Sequence, residues 1–315
     1  MIAFFRLIRI TNLLIIALSL SLFYYLILVP VHHNILQSGL LPFTTLEFIL
    51  FVLSVVCIAA AGNIINDYFD FELDKEFKSI RPLPSGAFSL DFAMYAQAFL
   101  AFTGLGLGFY LGWQADNYKI GYVYIGCLLL LYVYSAFLKK LPLAGNLVVA
   151  GLSAFVFILL MIFEANFLYV IHFDYGSYAF DVLKWQVYFY SGFAFLTSLV
   201  RELIKDLEDM EGDRAHQVYT LPVQFGTVAG KVVTSLVWLA LVGASGFFVK
   251  LFWDGGKTNS ALYLAILIII PSIFGLVMLW RAATSKDYNR LSWLLKIIML
   301  LGVLSIPAFY YFNRA

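Results

Sequence analysis

Apolar runs of about 20 residues without a charge, each long enough to cross a bilayer, recur from one end of this chain to the other. They restrict it to one kind of fold, because a segment in hydrocarbon must satisfy its own backbone hydrogen bonds and does so as a helix. We read nine spans, near residues 10–30, 46–66, 91–113, 118–138, 143–163, 185–203, 230–252, 260–281 and 293–312. The sixth is the shortest, since only the 16 residues from Trp185 to Val200 separate Lys184 from Arg201. Pro30, Pro42, Pro142, Pro222 and several glycines fall between spans or at their ends, as helix punctuation should. With 63% hydrophobic and 12% charged residues, an ordinary soluble domain is excluded. No shift in composition marks a boundary. The expectation is an all-α, multi-pass membrane helical bundle forming a single domain over residues 1–315.

The basic residues orient it. With the N-terminus on the cytoplasmic side, 15 of the 20 Lys and Arg fall inside: Arg6, Arg9, Lys75, Lys78, Arg81, Lys139, Lys140, Arg201, Lys205, Arg214, Lys231, Arg281, Lys286, Arg290 and Lys296. Lys119, Lys184, Lys250, Lys257 and Arg314 fall outside. Cytoplasmic enrichment of Lys and Arg is the general rule for multi-span proteins. The first apolar run is too long for a signal-peptide core and has no Ala-x-Ala-like cleavage site, so it reads as a true span. Cys57 and Cys127 stand alone in apolar segments and read as small buried hydrophobes. No basic tract suggests nucleic acid as a partner.

Against this background two octapeptides stand out. Asp67-Tyr68-Phe69-Asp70-Phe71-Glu72-Leu73-Asp74 and Asp206-Leu207-Glu208-Asp209-Met210-Glu211-Gly212-Asp213 share the spacing D-x-x-D-x-x-x-D, 139 residues apart. Positions i, i+3 and i+7 of a helix lie on one face, so each presents three carboxylates together. Asn63 and Glu202 extend the two faces by one turn, while Glu72, Glu208 and Glu211 point away. Eleven of the 19 acidic residues lie in windows 67–76 and 202–213. Aligned carboxylates repel unless cations sit among them, and hard divalent cations take oxygen ligands and bridge phosphates. The spacing is not that of an EF-hand loop. Both octapeptides follow even-numbered spans, which puts them on the same, cytoplasmic side. Two such clusters facing each other would cage divalent cations around a diphosphate.

The segments that follow also correspond. Arg81-Pro82-Leu83-Pro84-Ser85-Gly86 comes after the first octapeptide and Tyr219-Thr220-Leu221-Pro222-Val223-Gln224-Phe225-Gly226 after the second. Both read as irregular loops suited to cap a site at the membrane surface and exclude water. Arg81 lies close enough to the first cluster to contact a phosphate.

These residues resemble the UbiA-type intramembrane prenyltransferases. Asn66-Asp67-x-x-Asp70-x-x-x-Asp74 is similar to that family's first Asp-rich motif, and Lys205-Asp206-x-x-Asp209-x-x-x-Asp213 to its second. The Arg81–Gly86 loop, the stretch Tyr134-Ser135…Leu138-Lys139…Gly145-Asn146, and Arg9…Asn12 on the first helix add to the likeness, which covers nearly the whole chain. The resemblance implies a polyprenyl diphosphate, such as geranylgeranyl diphosphate, bound through Mg²⁺ with its tail among the membrane helices. It implies Asn66, Asp70, Asp74, Asp209 and Asp213 as metal ligands, with Asp67 and Asp206 close by and all six aspartates catalytic. Arg81, Lys139, Lys205 and Arg214 are candidates to neutralise the departing pyrophosphate. Asn63, Asn66, Arg9 and Asn12 complete the candidate substrate-binding set. Tyr134, Tyr68 and Phe69 are placed to stabilise an allylic cation through their ring faces.

A cation transporter is the rival from another class, but transporters put ionisable groups near the bilayer midplane and here the acids lie at span ends. A silent scaffold would have no need of mutually repelling charges. Within the family, Arg201 to Arg214 is most similar to the digeranylgeranylglyceryl phosphate synthase branch. That branch implies a lipophilic acceptor that is a glycerol phosphate ether lipid, alkylated on oxygen. The alternative is C-prenylation of an aromatic acceptor, a homogentisate or quinone precursor.

Overall fold

A computed structural model of the protein describes residues 2–30, 44–77, 80–163 and 177–313. Among these residues every regular element is helical. Eight helices are long and apolar enough to cross a membrane. They are α2 (Ile10–Leu28), α3 (Thr45–Phe69), α5 (Leu90–Gln114), α6 (Lys119–Ala136), α7 (Ala144–Phe163), α10 (Thr227–Asp254), α11 (Thr258–Arg281) and α12 (Ser285–Phe312). Shorter helices α1 (Ile2–Leu7), α4 (Phe71–Phe77) and α9 (Leu221–Phe225) lie between or before them. The protein is an integral membrane, multi-pass helical bundle. Pro42, Lys78 and Arg314, used above in the reading of punctuation and charge, lie outside the described residues.

The expected sixth span is part of α8 (Ser177–Ala215), 39 residues without a break. Its Arg, Glu, Lys and Asp residues leave it less apolar than the other eight. At about 1.5 Å per residue it is about 58 Å long, where the hydrocarbon core is about 30 Å thick. One helix is therefore long enough to cross a membrane and carry the second octapeptide on its extension.

Side-chain caps set several helix starts. The Thr44 hydroxyl accepts from the Glu47 amide, and the Glu47 carboxylate takes the Thr44 amide at 2.8 Å. Thr284 and Asp287 repeat this reciprocal cap before α12, and Ser89 caps α5 through the Phe92 amide. Each such cap satisfies donors the helix cannot, and stabilises by about 1 kcal/mol.

The described residues form two compact units. The first is drawn from residues 1–21, 31–139 and 156–181. In it α3, α5 and α6 approach closely because glycines line the contact. A Cβ on Gly104 would lie 2.8 Å from Ile58 Cγ1, and one on Gly108 2.8 Å from Tyr124 Cγ. Gly62 on α3 faces Leu131 of α6 in the same manner. Small residues spaced by four allow helices to pack through van der Waals contact where lipid supplies no hydrophobic drive. Inside this contact the Ser54 and Tyr124 hydroxyls pair at 2.7 Å, both fully buried. Replacing Gly108 by Leu forces the Tyr124 ring aside, and overpacking of this kind costs about 1–3 kcal/mol. Thermal unfolding in detergent should show a clear loss of stability for Gly108→Leu, and an unchanged transition would contradict the close packing.

The second unit is drawn from residues 22–30, 140–155 and 182–315. Its core contains Trp238, Leu241, Leu264, Ile268, Leu279, Leu291, Leu295 and Ile298, all buried. Val200, Ile204 and Leu207 of α8 enter that core from one stripe, while Leu199 and Leu203 pack beside Ala150 of α7. The apolar stripe fixes the helix so that the aspartates of the same turns are held on another face. Lys231 donates to the carbonyl of Ala282 at 2.6 Å, closing the end of α11.

Candidate active site

The first octapeptide is not carried by one uninterrupted helix. Helix α3 ends at Phe69, Asp70 adopts φ −89° and ψ 0°, and α4 begins at Phe71. The hydrogen-bond ladder still crosses the break, from the Asp70 amide to Asn66 O at 3.0 Å and from the Asp74 amide to Asp70 O at 2.8 Å. The three carboxylates therefore keep the shared face expected of a helix, with a bend at the middle one. Asp67 and Asp74 are buried and Asp70 is half-buried.

Three cations sit among these three acids. Arg9 Nη2 donates to Asp67 Oδ1 at 2.6 Å. Arg81 Nη1 donates to Asp74 Oδ2 and lies 3.8 Å from Asp67 Oδ1, so one guanidinium links the first and third carboxylates. Lys139 Nζ donates to Asp70 Oδ1 at 2.7 Å, to Asn66 Oδ1 at 3.3 Å and to the Asn66 carbonyl at 3.4 Å. Formal charge is balanced, three against three. Among the described residues no three His, Cys, Asp or Glu side chains converge as a metal site; in this structure the first-motif carboxylates are paired with basic side chains instead. The physical reason is repulsion: without a divalent cation, charge balance must come from the protein's own basic side chains.

Arg9 reaches Asp67 through an unusual backbone. It joins α1 to α2 with φ 54°, in the left-handed region that L residues avoid at a cost of about 1–2 kcal/mol. The helix break releases the carbonyl of Ile8, and Asn63 Nδ2 donates to it at 2.9 Å. Asn63, expected on the substrate face, is thus found bracing the turn that aims Arg9. Asn12 follows on the first turn of α2, its amide bonded to Arg9 O at 2.9 Å. Aromatic rings flank the cluster: Phe69 meets Tyr68 edge-on at 5.8 Å and Tyr132 at 5.5 Å between centroids. Tyr134 is half-buried in the last turn of α6. Tyr132 was not among the aromatics expected, since nothing in an aromatic-rich sequence distinguishes it.

The second octapeptide lies wholly within α8, so Asp206, Asp209 and Asp213 share a face as the spacing requires. Asn146 Nδ2, from the start of α7, donates to Asp206 Oδ2 at 2.9 Å. Burial pushes the Asp206 carboxyl up to about 8, with Glu202 and Asp213 adding to the shift and the Asn146 hydrogen bond and Lys205 opposing it. Glu202 is buried and accepts from Arg201 at 2.7 Å. The Thr220 hydroxyl donates to Asp213 Oδ2 at 3.3 Å, and Asp213 O receives the Val218 amide at 2.8 Å. Glu211 and Arg214 are exposed, Lys205 is half-buried, and Glu208 accepts from Asn289 at 3.0 Å. The role of Asn146 at Asp206 was not foreseen, because one amide in an apolar helix carries no periodic signal.

The loops after the two octapeptides share a device. The first turns back on itself through Ser85 N to Arg81 O at 2.9 Å and ends at Gly86 with φ 74°. The second, around α9, ends at Gly226 with φ 88°. Both glycines occupy a conformation that a side chain would strain.

The model of the UbiA prenyltransferase family matches residues 27–304. The chain belongs to the UbiA prenyltransferase family. A relative, the digeranylgeranylglyceryl phosphate synthase of Methanothermobacter thermautotrophicus, is 32% identical over 269 residues, 83% of this chain and 85% of that one. A solved structure of digeranylgeranylglyceryl phosphate synthase in membranes superposes with a TM-score of 0.65 at 25% identity, covering 98% of this chain and 97% of the other. A UbiA homologue from Archaeoglobus fulgidus, solved with DMAPP and Mg²⁺ bound, shares the fold at a TM-score of 0.58 and 16% identity, over 96% and 99% of the two chains. This UbiA-family member is an intramembrane prenyltransferase, and the cation transporter is set aside.

Proposed function

We propose that the chain moves a geranylgeranyl group from its diphosphate to the free hydroxyl of a glycerol phosphate ether lipid, with Mg²⁺, at the cytoplasmic side of the membrane. The observation that carries the metal is the Lys139 ammonium, a cation already held by Asn66 and Asp70 oxygens. A donor set made only of oxygen suits a hard divalent ion. Asn66, Asp70 and Asp74 would hold it from the first motif and Asp209 and Asp213 from the second, both motifs serving one diphosphate within a single domain. When held there, a divalent ion would supply Lewis-acid stabilisation of the diphosphate as a leaving group.

The remaining work falls to the chain. Arg9, Arg81, Lys139 and Lys205 carry the positive charge that meets pyrophosphate as the bond from its oxygen to the prenyl C1 breaks. The exposed face of Phe69, with Tyr68 and Tyr134, offers π density to the allylic carbon. The acceptor hydroxyl forms the new C–O bond and gives up its proton, and pyrophosphate departs. Support for the glycerol-lipid acceptor is the likeness of the second motif and the name borne by relatives that align over most of this chain. The orientation, N-terminus inside with nine crossings, rests on the 15-to-5 division of basic residues.

The test is a transfer assay. Purified protein with Mg²⁺ and labelled geranylgeranyl diphosphate should label geranylgeranylglyceryl phosphate through a new ether bond and leave homogentisate and hydroxybenzoate unlabelled. Transfer to an aromatic carbon with none to the glycerol lipid would replace this acceptor by the aromatic one.

A further inference from the structure

We infer that Lys139 is an internal stand-in for the metal, and that it makes metal binding depend on diphosphate. This rests on the metal-and-diphosphate reading above. Lys139 Nζ contacts Asp70 Oδ1 at 2.7 Å, Asn66 Oδ1 at 3.3 Å and Asn66 O at 3.4 Å. Two of those oxygens belong to side chains assigned to the metal. The ammonium is thus seated on part of the donor set the metal would use, and its side chain is only 13% exposed. The Asn66 carbonyl takes the lysine while still accepting the ladder bond from the Asp70 amide.

A divalent ion and an ammonium cannot both sit on Asp70 Oδ1 without strong repulsion at low local dielectric. A metal arriving alone must therefore displace the Lys139 ammonium from Asp70 and brings no anion to receive it. A metal arriving with diphosphate brings oxygens that take the ammonium. The exchange then keeps the charge balanced: Asp70 passes from lysine to metal, and lysine from Asp70 to phosphate. The metal-free protein is spared carboxylate repulsion, and stray divalent cations do not fill the site. By linkage, whatever factor diphosphate adds to metal affinity, metal adds to diphosphate affinity.

The test reads metal binding, not turnover. Mn²⁺ binding to the full-length protein in nanodiscs is followed by electron paramagnetic resonance, alone and with inorganic pyrophosphate. Lys139→Met removes the ammonium and adds no oxygen ligand. It should bind Mn²⁺ alone on the order of tenfold more tightly than the wild type, within the roughly 5–150-fold range of linked sites. Pyrophosphate should strengthen Mn²⁺ binding greatly in the wild type and by about tenfold less in the variant. Lys139→Arg, which keeps the charge, should stay weak without pyrophosphate, and Lys139→Leu, which also adds no oxygen, serves if the Met variant does not fold. If Mn²⁺ binds with pyrophosphate but Lys139→Met binds it alone no better than the wild type, the stand-in role is overturned and the metal site stands. If no protein binds Mn²⁺ in either condition, the metal site itself falls and the stand-in with it.

Discussion

Transfer should fall at least about a hundredfold in both Asp70→Ala and Asp209→Ala, with the protein still inserted and folded. Loss of a side chain that supports a metal ligand already costs 10- to 100-fold, roughly, and a ligand itself should cost no less. Folding should survive because neither side chain is part of the apolar packing. Asp70 sits at a helix break with its side chain 24% exposed, and Asp209 is half-buried and not among the α8 residues that enter the core. Asp70→Ala also leaves Lys139 without its 2.7 Å partner, so Asp70→Asn is the useful comparison: it keeps the oxygen and loses the charge. Single-turnover transfer, with unfolding temperatures measured beside it, decides the matter. Near-normal rates in either alanine variant would mean that other carboxylates hold the metal.

Removal of divalent metal should have the largest effect of all. In excess EDTA, with metal-free reagents, transfer should drop to background and return on addition of Mg²⁺ or Mn²⁺. The three basic residues of the first cluster match its three acids, which leaves little net positive charge there to draw a diphosphate. Full turnover in EDTA would show that the basic residues alone bind the donor.

Much of this molecule is legible in its sequence, for reasons that differ between parts. Charge-free apolar runs have one solution in a bilayer, so eight helices long and apolar enough to cross it fall close to where the hydropathy puts them. The region of α8 is harder to read. Its charged residues are good helix formers but poor span formers, so hydropathy sees a short span where one 39-residue helix exists. The break at Asp70 and the left-handed turn at Arg9 have no glycine or proline to announce them. Both are local departures that tertiary contacts hold in place, Lys139 at the first and Asn63 at the second. The acidic motifs, Arg81 and Lys139 could be read because charge is rare here and stands out. Tyr132 and the pairing of Asn146 with Asp206 could not, because one more aromatic ring looks like its surroundings and a lone amide does not announce its partner.

Both acidic motifs must face the same compartment for one diphosphate to use them, and cysteine accessibility measures this most directly. In a background lacking Cys57 and Cys127, single cysteines replace Ser79, after the first motif, and Gln217, after the second. With a membrane-impermeant reagent, both should be protected in intact cells and both labelled in inverted vesicles. Opposite behaviour at the two positions would place Asp70 and Asp209 on different sides of the membrane and contradict the shared metal site, and with it the prenyl transfer proposed here.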